Sequence, residues 1–299
     1  MERRQLGNTD MQVSMLGFGG AEIGFEGASV STVERLLDSA LDEGLNIIDT
    51  AECYKGSEEL IGKAVGHRRK DYYLFTKCGH ASGFAIPDWD PDLLAQSIDR
   101  SLKRLKTDYI DLIQLHSCSE QLLRQGDVIE VLQRAREAGK ARYIGYSGDR
   151  EAALYAIRCG AFDTLQTSVN IADQEAVELT IPEAVQRRMG VIAKRPLANV
   201  AWRTGEKPVS AYHEPYWERL QKLRYDFLQE DLEHSVEIAL RFTLSIPGVN
   251  TAIVGTANPD RWVRNAELAR KGVLPEAQLQ AIRSRWRETA SGQDWRGQG

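Results

Sequence analysis

The chain has 299 residues, 42% of them hydrophobic and 27% charged, with a formal net charge of −5. That is ordinary globular composition, and the dispersed basic residues form neither a nucleic-acid footprint nor a polybasic membrane patch. No apolar run reaches bilayer length, residues 1–10 lack the apolar stretch of a secretory signal, and Cys53, Cys78, Cys118 and Cys159 form no C-x-x-C pair, so a cytoplasmic chain without a disulfide framework is expected.

Taken in order, residues 4–13 read as a hairpin turning at Gly7-Asn8-Thr9-Asp10, and residues 15–18 as a strand. The next helix has Ser31 and Glu34 as a capping box, Val33, Leu36, Leu37, Ala40 and Leu41 as its apolar stripe, and Gly44 as its stop. A strand over 46–49 precedes a helix over 57–65. A third strand, 72–76, precedes a helix with Asp90 as N-cap and Pro91 at its first position, where Leu94, Ile98, Leu102 and Leu105 recur at helical spacing. Strands follow at 110–115, 141–146 and 164–166, with helices that stop at Gly139, Gly160 and Gly190. After the strand at 191–193 comes an irregular segment, 197–230, and a helix running to Leu240. The eighth strand, 251–254, leads to a helix capped by Asn258-Pro259 and a tail helix over 275–287, with residues 290–299 expected to fray.

Eight β-then-α units with no break in composition predict an α/β fold in a single domain over 1–299. The expected form is a closed (β/α)8 TIM barrel with an N-terminal β-hairpin and a C-terminal tail helix. A doubly wound sheet would need a G-x-G-x-x-G turn, and the nearest candidate, Gly17-Phe18-Gly19-Gly20-Ala21-Glu22, has Glu22 in the place of the third glycine.

Barrel enzymes project their catalytic groups from the C-terminal strand ends. Here those ends carry Asp49, Lys77, His116, Ser147, Gln166 and Lys194, and Tyr54 lies in the loop past Asp49. Each alone reads as a loop cap, a solvated amine, a satisfied histidine or a rim aromatic; together they must face one mouth. A phenol, an ammonium, a carboxylate and an imidazole suit carbonyl reduction, which needs a proton for the nascent alkoxide. The ammonium is expected to lower the phenol's pKa, the carboxylate to hold the ammonium, and the imidazole to orient the carbonyl.

The stretch from Asn46 to Gly62, Asn-Ile-Ile-Asp-Thr-Ala-Glu-Cys-Tyr-Lys-Gly-Ser-Glu-Glu-Leu-Ile-Gly, closely resembles the signature of the aldo-keto reductase family. The likeness extends to Leu16-Gly17-Phe18-Gly19, to the run from Asp108 to His116, and to Gly145-Tyr146-Ser147. The resemblance implies a catalytic tetrad of Asp49, Tyr54, Lys77 and His116, with Tyr54 as general acid. It implies reduction of a small aldehyde or ketone with NADP(H), NAD(H) being the alternative. It maps cofactor contacts onto Gly20, Ser147, Gln166, Lys194, Pro196, Leu197, Gly255, Thr256, Asn258, Arg261 and Asn265, with Asn170 near the carboxamide. A helix N-terminus plus the Arg261 guanidinium suits the 2′-phosphate. The chain departs from the pattern at Lys55 and Gly148, where glycine and asparagine are usual. It also has Lys194-Arg195 where many members stack an aromatic ring, and no lysine before Thr256.

A zinc site of Cys53, Cys78, Cys118 and His116 is disfavoured, because neighbours on a strand point to opposite faces and Lys77 and Cys78 cannot both face the mouth. The aromatic-rich segment 201–217 reads as a substrate lid or as plain helical packing of Tyr216 and Trp217, and Trp89 as a pocket wall. Two rival functions remain: a cofactor-sensing binding module on the same barrel, and a Schiff-base lyase or isomerase using Lys77. A monomer without nucleic-acid or membrane partners is the default.

Overall fold

In the computed structural model, which describes residues 1–298, β1 (Arg3–Gln5) and β2 (Gln12–Ser14) form an antiparallel hairpin. Eight strands follow: β3 (Leu16–Gly19), β4 (Ile47–Asp49), β5 (Tyr73–Cys78), β6 (Ile110–His116), β7 (Ala141–Ser147), β8 (Thr164–Ser168), β9 (Gly190–Lys194) and β10 (Thr251–Gly255). They run parallel and close in chain order, β10 pairing with both β9 and β3. The fold is the expected (β/α)8 barrel with its N-terminal hairpin.

The barrel interior changes character along its axis, and strand alternation is the cause. Ile47, Phe75, Leu112, Ile192 and Ile253 form one buried apolar layer with Leu6, Met11 and Val13 of the hairpin, which closes that end. Burying each of those three hairpin side chains is worth about 1.5–3 kcal/mol. Two residues further along the same strands stand Asp49, Lys77, Gln114 and Lys194. The apolar layer is therefore the floor on which a polar layer sits at the C-terminal mouth. Gly145 of β7 leaves room for this layer: a Cβ there would lie 2.3 Å from Thr164 Oγ1 and 3.1 Å from Gln114 Cγ.

A larger apolar shell lies between the strands and the surrounding helices. Asp90 caps the helix Pro91–Leu105 by accepting from Asp92 N at 2.8 Å, and Asn258 caps Pro259–Arg270 by accepting from Asp260 N at 2.9 Å. Such caps contribute about 1 kcal/mol each. The cap of Val30–Asp42 is Ser29 and not Ser31: Ser29 has the extended backbone a cap needs, and its hydroxyl accepts from Thr32 N at 3.1 Å. The helix expected to stop at Gly190 is two short pieces, Glu175–Leu179 and Ile181–Gln186, with Pro182 in the first turn of the second. Proline has no N–H to continue the first piece. The segment expected to be irregular contains the helix Glu214–Leu223.

The tail beyond the helix Glu276–Ala290 is tied down, contrary to expectation. Arg150 Nε donates to Gly297 O at 2.9 Å, Arg219 Nη2 to Arg296 O at 2.6 Å, and Gly297 N to Glu175 Oε2 at 2.7 Å. Arg195 also donates to Gln298 O, and Trp295 packs 5.3 Å from Trp286. Three arginines on separate elements add to Trp295, the one large apolar anchor of the tail. Among the described residues, no helix is long and apolar enough to cross a membrane.

Candidate active site

At the mouth, β4 and β5 place Asp49 and Lys77 in contact. Lys77 Nζ donates to Asp49 Oδ1 and, at 2.9 Å, to Thr50 O, and each charged side chain is 1% exposed. The other Asp49 oxygen accepts from Gln166 Nε2 at 2.9 Å and from Gln114 Nε2 at 3.3 Å. Ser147 Oγ donates to Gln166 Oε1 at 3.0 Å. The result is a buried, hydrogen-bonded ion pair whose partners come from five consecutive strands.

Tyr54 is carried by the loop after β4, and that loop is fastened at several points. Thr50 N donates to Phe75 O at 2.9 Å, Glu52 N to Lys77 O at 3.2 Å, and Ser57 N to Tyr54 O at 2.9 Å. Ser57 Oγ donates to Gly20 O at 2.6 Å, and a Cβ on Gly20 would lie 2.7 Å from that hydroxyl. Buried Glu52 pairs with Arg100 and Arg104 behind the loop. So held, the Tyr54 ring centroid lies 5.2 Å from Lys77 Nζ and 5.6 Å from the His116 ring, which it meets edge-on at 79°. Phe25 flanks it at 5.9 Å. His80 lies 5.3 Å from His116 and carries Asp88 on its Nδ1 at 3.0 Å, while Trp89 covers His80 at 5.4 Å.

Burial pushes the Tyr54 phenol well above its usual pKa, the Asp49 charge adds to the shift, and Arg195 opposes it. The expectation that Lys77 makes this phenol more acidic is therefore corrected for the protein alone. The ammonium is matched at contact distance by Asp49, so the pair presents a dipole to the ring in place of a net positive charge. Burial holds His116 well below the usual histidine value, with Lys77, His80, Lys194 and Arg195 pushing the same way. At neutral pH the site thus combines a protonated phenol with an uncharged imidazole.

A cavity of about 620 Å³ opens over this floor. Its wall includes Asp49, Tyr54, His116, Ser147, Gln166 and Lys194, and it extends past Gly20, Pro196, Leu197 and Gly255 to Arg261 and Asn265. Charged groups of both signs line it: Arg195, Arg203, Lys207 and Arg261 on one side of the balance, Glu22, Glu26 and Glu206 on the other. Lys194 Nζ pairs with buried Asp149 at 3.1 Å, and burial lowers its pKa despite that carboxylate. Asn265 Nδ2 is buried without a partner among the described residues. An unsatisfied amide on the helix that also carries Arg261 into the cavity wall fits a ligand with a polar group and a negative charge at that end. Arg195, Ala198, Asn199 and Val200 all have positive φ, between 44° and 55°, which is costly for a β-branched residue such as Val200. Arg195, Asn199 and Val200 lie in the cavity wall.

The Aldo/keto reductase family pattern matches residues 15–287. The chain belongs to the aldo/keto reductase family. Among its relatives, the uncharacterized oxidoreductase YqkF of Bacillus subtilis is 28% identical, the match covering 95% of this chain and 96% of the relative. L-galactose dehydrogenase of Arabidopsis thaliana is also 28% identical, over 89% of this chain and 87% of the relative. The aldo-keto reductase AKR11C1 from Bacillus halodurans, in its holo form, superposes with a TM-score of 0.82 at 28% identity, covering 95% and 96% of the two chains. This aldo-keto reductase is an NAD(P)H-dependent oxidoreductase that acts on small carbonyl compounds.

Most residues singled out in the reductase sequence line its cavity, but Lys77, Thr256, Asn258 and Asn170 do not. Lys77 lies beneath Asp49, off the wall. Thr256 is buried, its hydroxyl accepting from Asn258 N at 3.1 Å, and the Asn258 side chain caps the following helix. That cap occupies two of the helix N-terminal N–H groups, those of Asp260 and Arg261. Asn170 donates to Arg195 O at 3.0 Å and also lies off the wall. Much of the suspected lid lines the cavity, from Ala201, Arg203 and Thr204 through Glu206 and Val209 to Tyr212 and His213, whereas Tyr216 is buried and donates to Asp173 Oδ2 at 3.2 Å. Sequence reasoning missed Gln114, although its place between Leu112 and His116 on one strand face was the available signal.

Proposed function

We propose that this reductase converts an aldehyde or ketone to an alcohol with NADPH, and that Tyr54 supplies the proton. The observation that carries this reading is the Tyr54 ring within 5.2 Å of the Lys77 ammonium and 5.6 Å of the His116 ring, on the wall of the cavity at the barrel mouth. Bound nicotinamide supplies the hydride. As the carbonyl carbon accepts it, the oxygen becomes an alkoxide, a stronger base than any phenolate, and takes the Tyr54 hydroxyl proton. A phenol held protonated by burial suits that direction. Neutral His116 contributes an N–H to the carbonyl oxygen without competing for its proton. Asp49 fixes Lys77, and Gln166 and Gln114 fix Asp49.

For the cofactor, Gln166 and Ser147 offer amide and hydroxyl groups to the carboxamide, Arg195 and Arg203 offer charge to the pyrophosphate, and Arg261 with Asn265 receives the adenosine end. The Arg261 guanidinium supports preference for a 2′-phosphate. The Schiff-base alternative finds little support, because Lys77 pairs with Asp49, donates to Thr50 O and lies off the cavity wall.

The test is a panel of small carbonyls, including aldoses because one relative is an L-galactose dehydrogenase, followed by loss of NADPH absorbance. Tyr54→Phe is expected to lower turnover by at least about 10²-fold while cofactor fluorescence quenching is unchanged. Normal turnover in the Phe variant would overturn the assignment of the proton donor.

A further inference from the structure

His116 has two ring nitrogens, and one is already engaged within the protein. Cys53 Sγ lies 3.3 Å from His116 Nδ1. That leaves Nε2 as the nitrogen available to a ligand in the cavity that His116 lines. An imidazole that stays uncharged carries a single N–H, and its position decides whether the ring is a donor or an acceptor toward the substrate.

The contact with Cys53 favours one arrangement on chemical grounds. If Nδ1 held the hydrogen, it would donate to a neutral thiol sulfur, a weak acceptor, and Nε2 would present a lone pair to the cavity. A carbonyl oxygen would then face another acceptor. If Nε2 holds the hydrogen, the thiol S–H donates to the basic Nδ1 and the Nε2–H points to the substrate side. Burial raises the Cys53 pKa, so the sulfur keeps its hydrogen. The groups packed on the ring agree with this. Tyr54 and His80 meet it through ring contacts, and Asp88 accepts from His80 and not from His116. Cys53 is also the residue next to Tyr54, so the loop that sets the phenol sets the thiol in the same act.

We propose that Cys53 is a positioning residue whose thiol donates to Nδ1 of His116 and fixes the imidazole as the Nε2–H tautomer that faces the substrate carbonyl. The proposal rests on the reductase reading above for the orientation of the carbonyl, but the tautomer itself is measurable without turnover. Protein labelled with ¹⁵N-histidine, with His116→Gln used to assign the signal, reports the protonated nitrogen through two-bond couplings to the ring hydrogens. The wild type and Cys53→Ser, which retains an O–H donor, are expected to show Nε2–H. Cys53→Ala is expected to show a mixture with Nδ1–H. For a substrate found in the carbonyl panel, Cys53→Ala should lower kcat/KM about three- to tenfold at unchanged cofactor affinity, and Cys53→Ser should recover most of the loss. A wild-type ring protonated at Nδ1, or an Nε2–H ring in Cys53→Ala with undiminished kcat/KM, would overturn the proposal. If no carbonyl is turned over by the wild type, the reductase reading fails, while the spectrum still decides the role of the thiol.

Discussion

Replacing Lys77 by methionine isolates the cost of a buried charge. Methionine keeps much of the side-chain volume and removes the ammonium. Asp49 then retains its bonds to Gln166 at 2.9 Å and Gln114 at 3.3 Å but has no cation, at a position 1% exposed. Breaking one side of such a pair costs about 3–5 kcal/mol, mostly from the stranded partner. At an unfolding entropy of about 2.1 cal/mol/K per residue, the 299 residues convert each kcal/mol into roughly 1.6 °C. Lys77→Met is therefore predicted to lower Tm by about 5–8 °C. The double variant Asp49→Asn/Lys77→Met removes both charges and should recover to within about 1–2 kcal/mol of the wild type. Urea and thermal unfolding of the wild type, both single variants and the double variant measure the cycle. A Lys77→Met variant within about 1 kcal/mol of the wild type, or a double variant as unstable as the sum of the singles, would refute the reasoning.

Two further predictions concern the frame around the cavity. Asp173 is fully buried, with Arg219 Nη1 at 3.7 Å and Oδ1 without a partner among the described residues, and burial pushes its pKa up to about 7. A carboxyl that binds its proton more tightly when folded contributes stability at low pH and loses it as pH rises toward 7. Between pH 5.5 and 8 this group should cost the wild type about 2 kcal/mol that Asp173→Asn does not lose; identical pH slopes in urea melts would contradict it. Truncation after Ser291 removes the carbonyls that Arg150, Arg195 and Arg219 hold. The truncated chain should lose about 1–3 kcal/mol of stability and bind NADPH more weakly, because Arg195 is in the cavity wall. Unchanged Tm and cofactor affinity would show that the tail is only a passenger.

What could be read from the sequence, and what could not, divides along range of interaction. The strands were legible because alternation is local: Ile47 to Asp49 and Phe75 to Lys77 each place an apolar floor residue two positions before a polar site residue. The cap at Asp90-Pro91 was legible for the same reason. Ser29 was missed in favour of Ser31 because both precede the same apolar stripe, and only the backbone turn selects between them. The tail was unreadable because its anchors are arginines at 150, 195 and 219, distant in sequence and donating to backbone atoms that no side-chain pattern marks.

The electrostatics of Tyr54 lie furthest from the sequence. An ammonium near a phenol suggests a lowered pKa, yet the sign of the shift depends on what else the ammonium touches. Here Asp49 meets Lys77 in direct contact, and the ring sees a compensated pair inside a desolvated wall. The same arrangement explains how an ion pair and a protonated phenol coexist at one mouth. Were Lys77 unpaired, its charge would pull the phenol pKa down against the burial that raises it. The carboxylate keeps the ammonium in place while limiting its field, which suits the proposed role of Tyr54 as proton donor. Gln114 and Gln166, by holding the second oxygen of Asp49, keep that compensation from drifting.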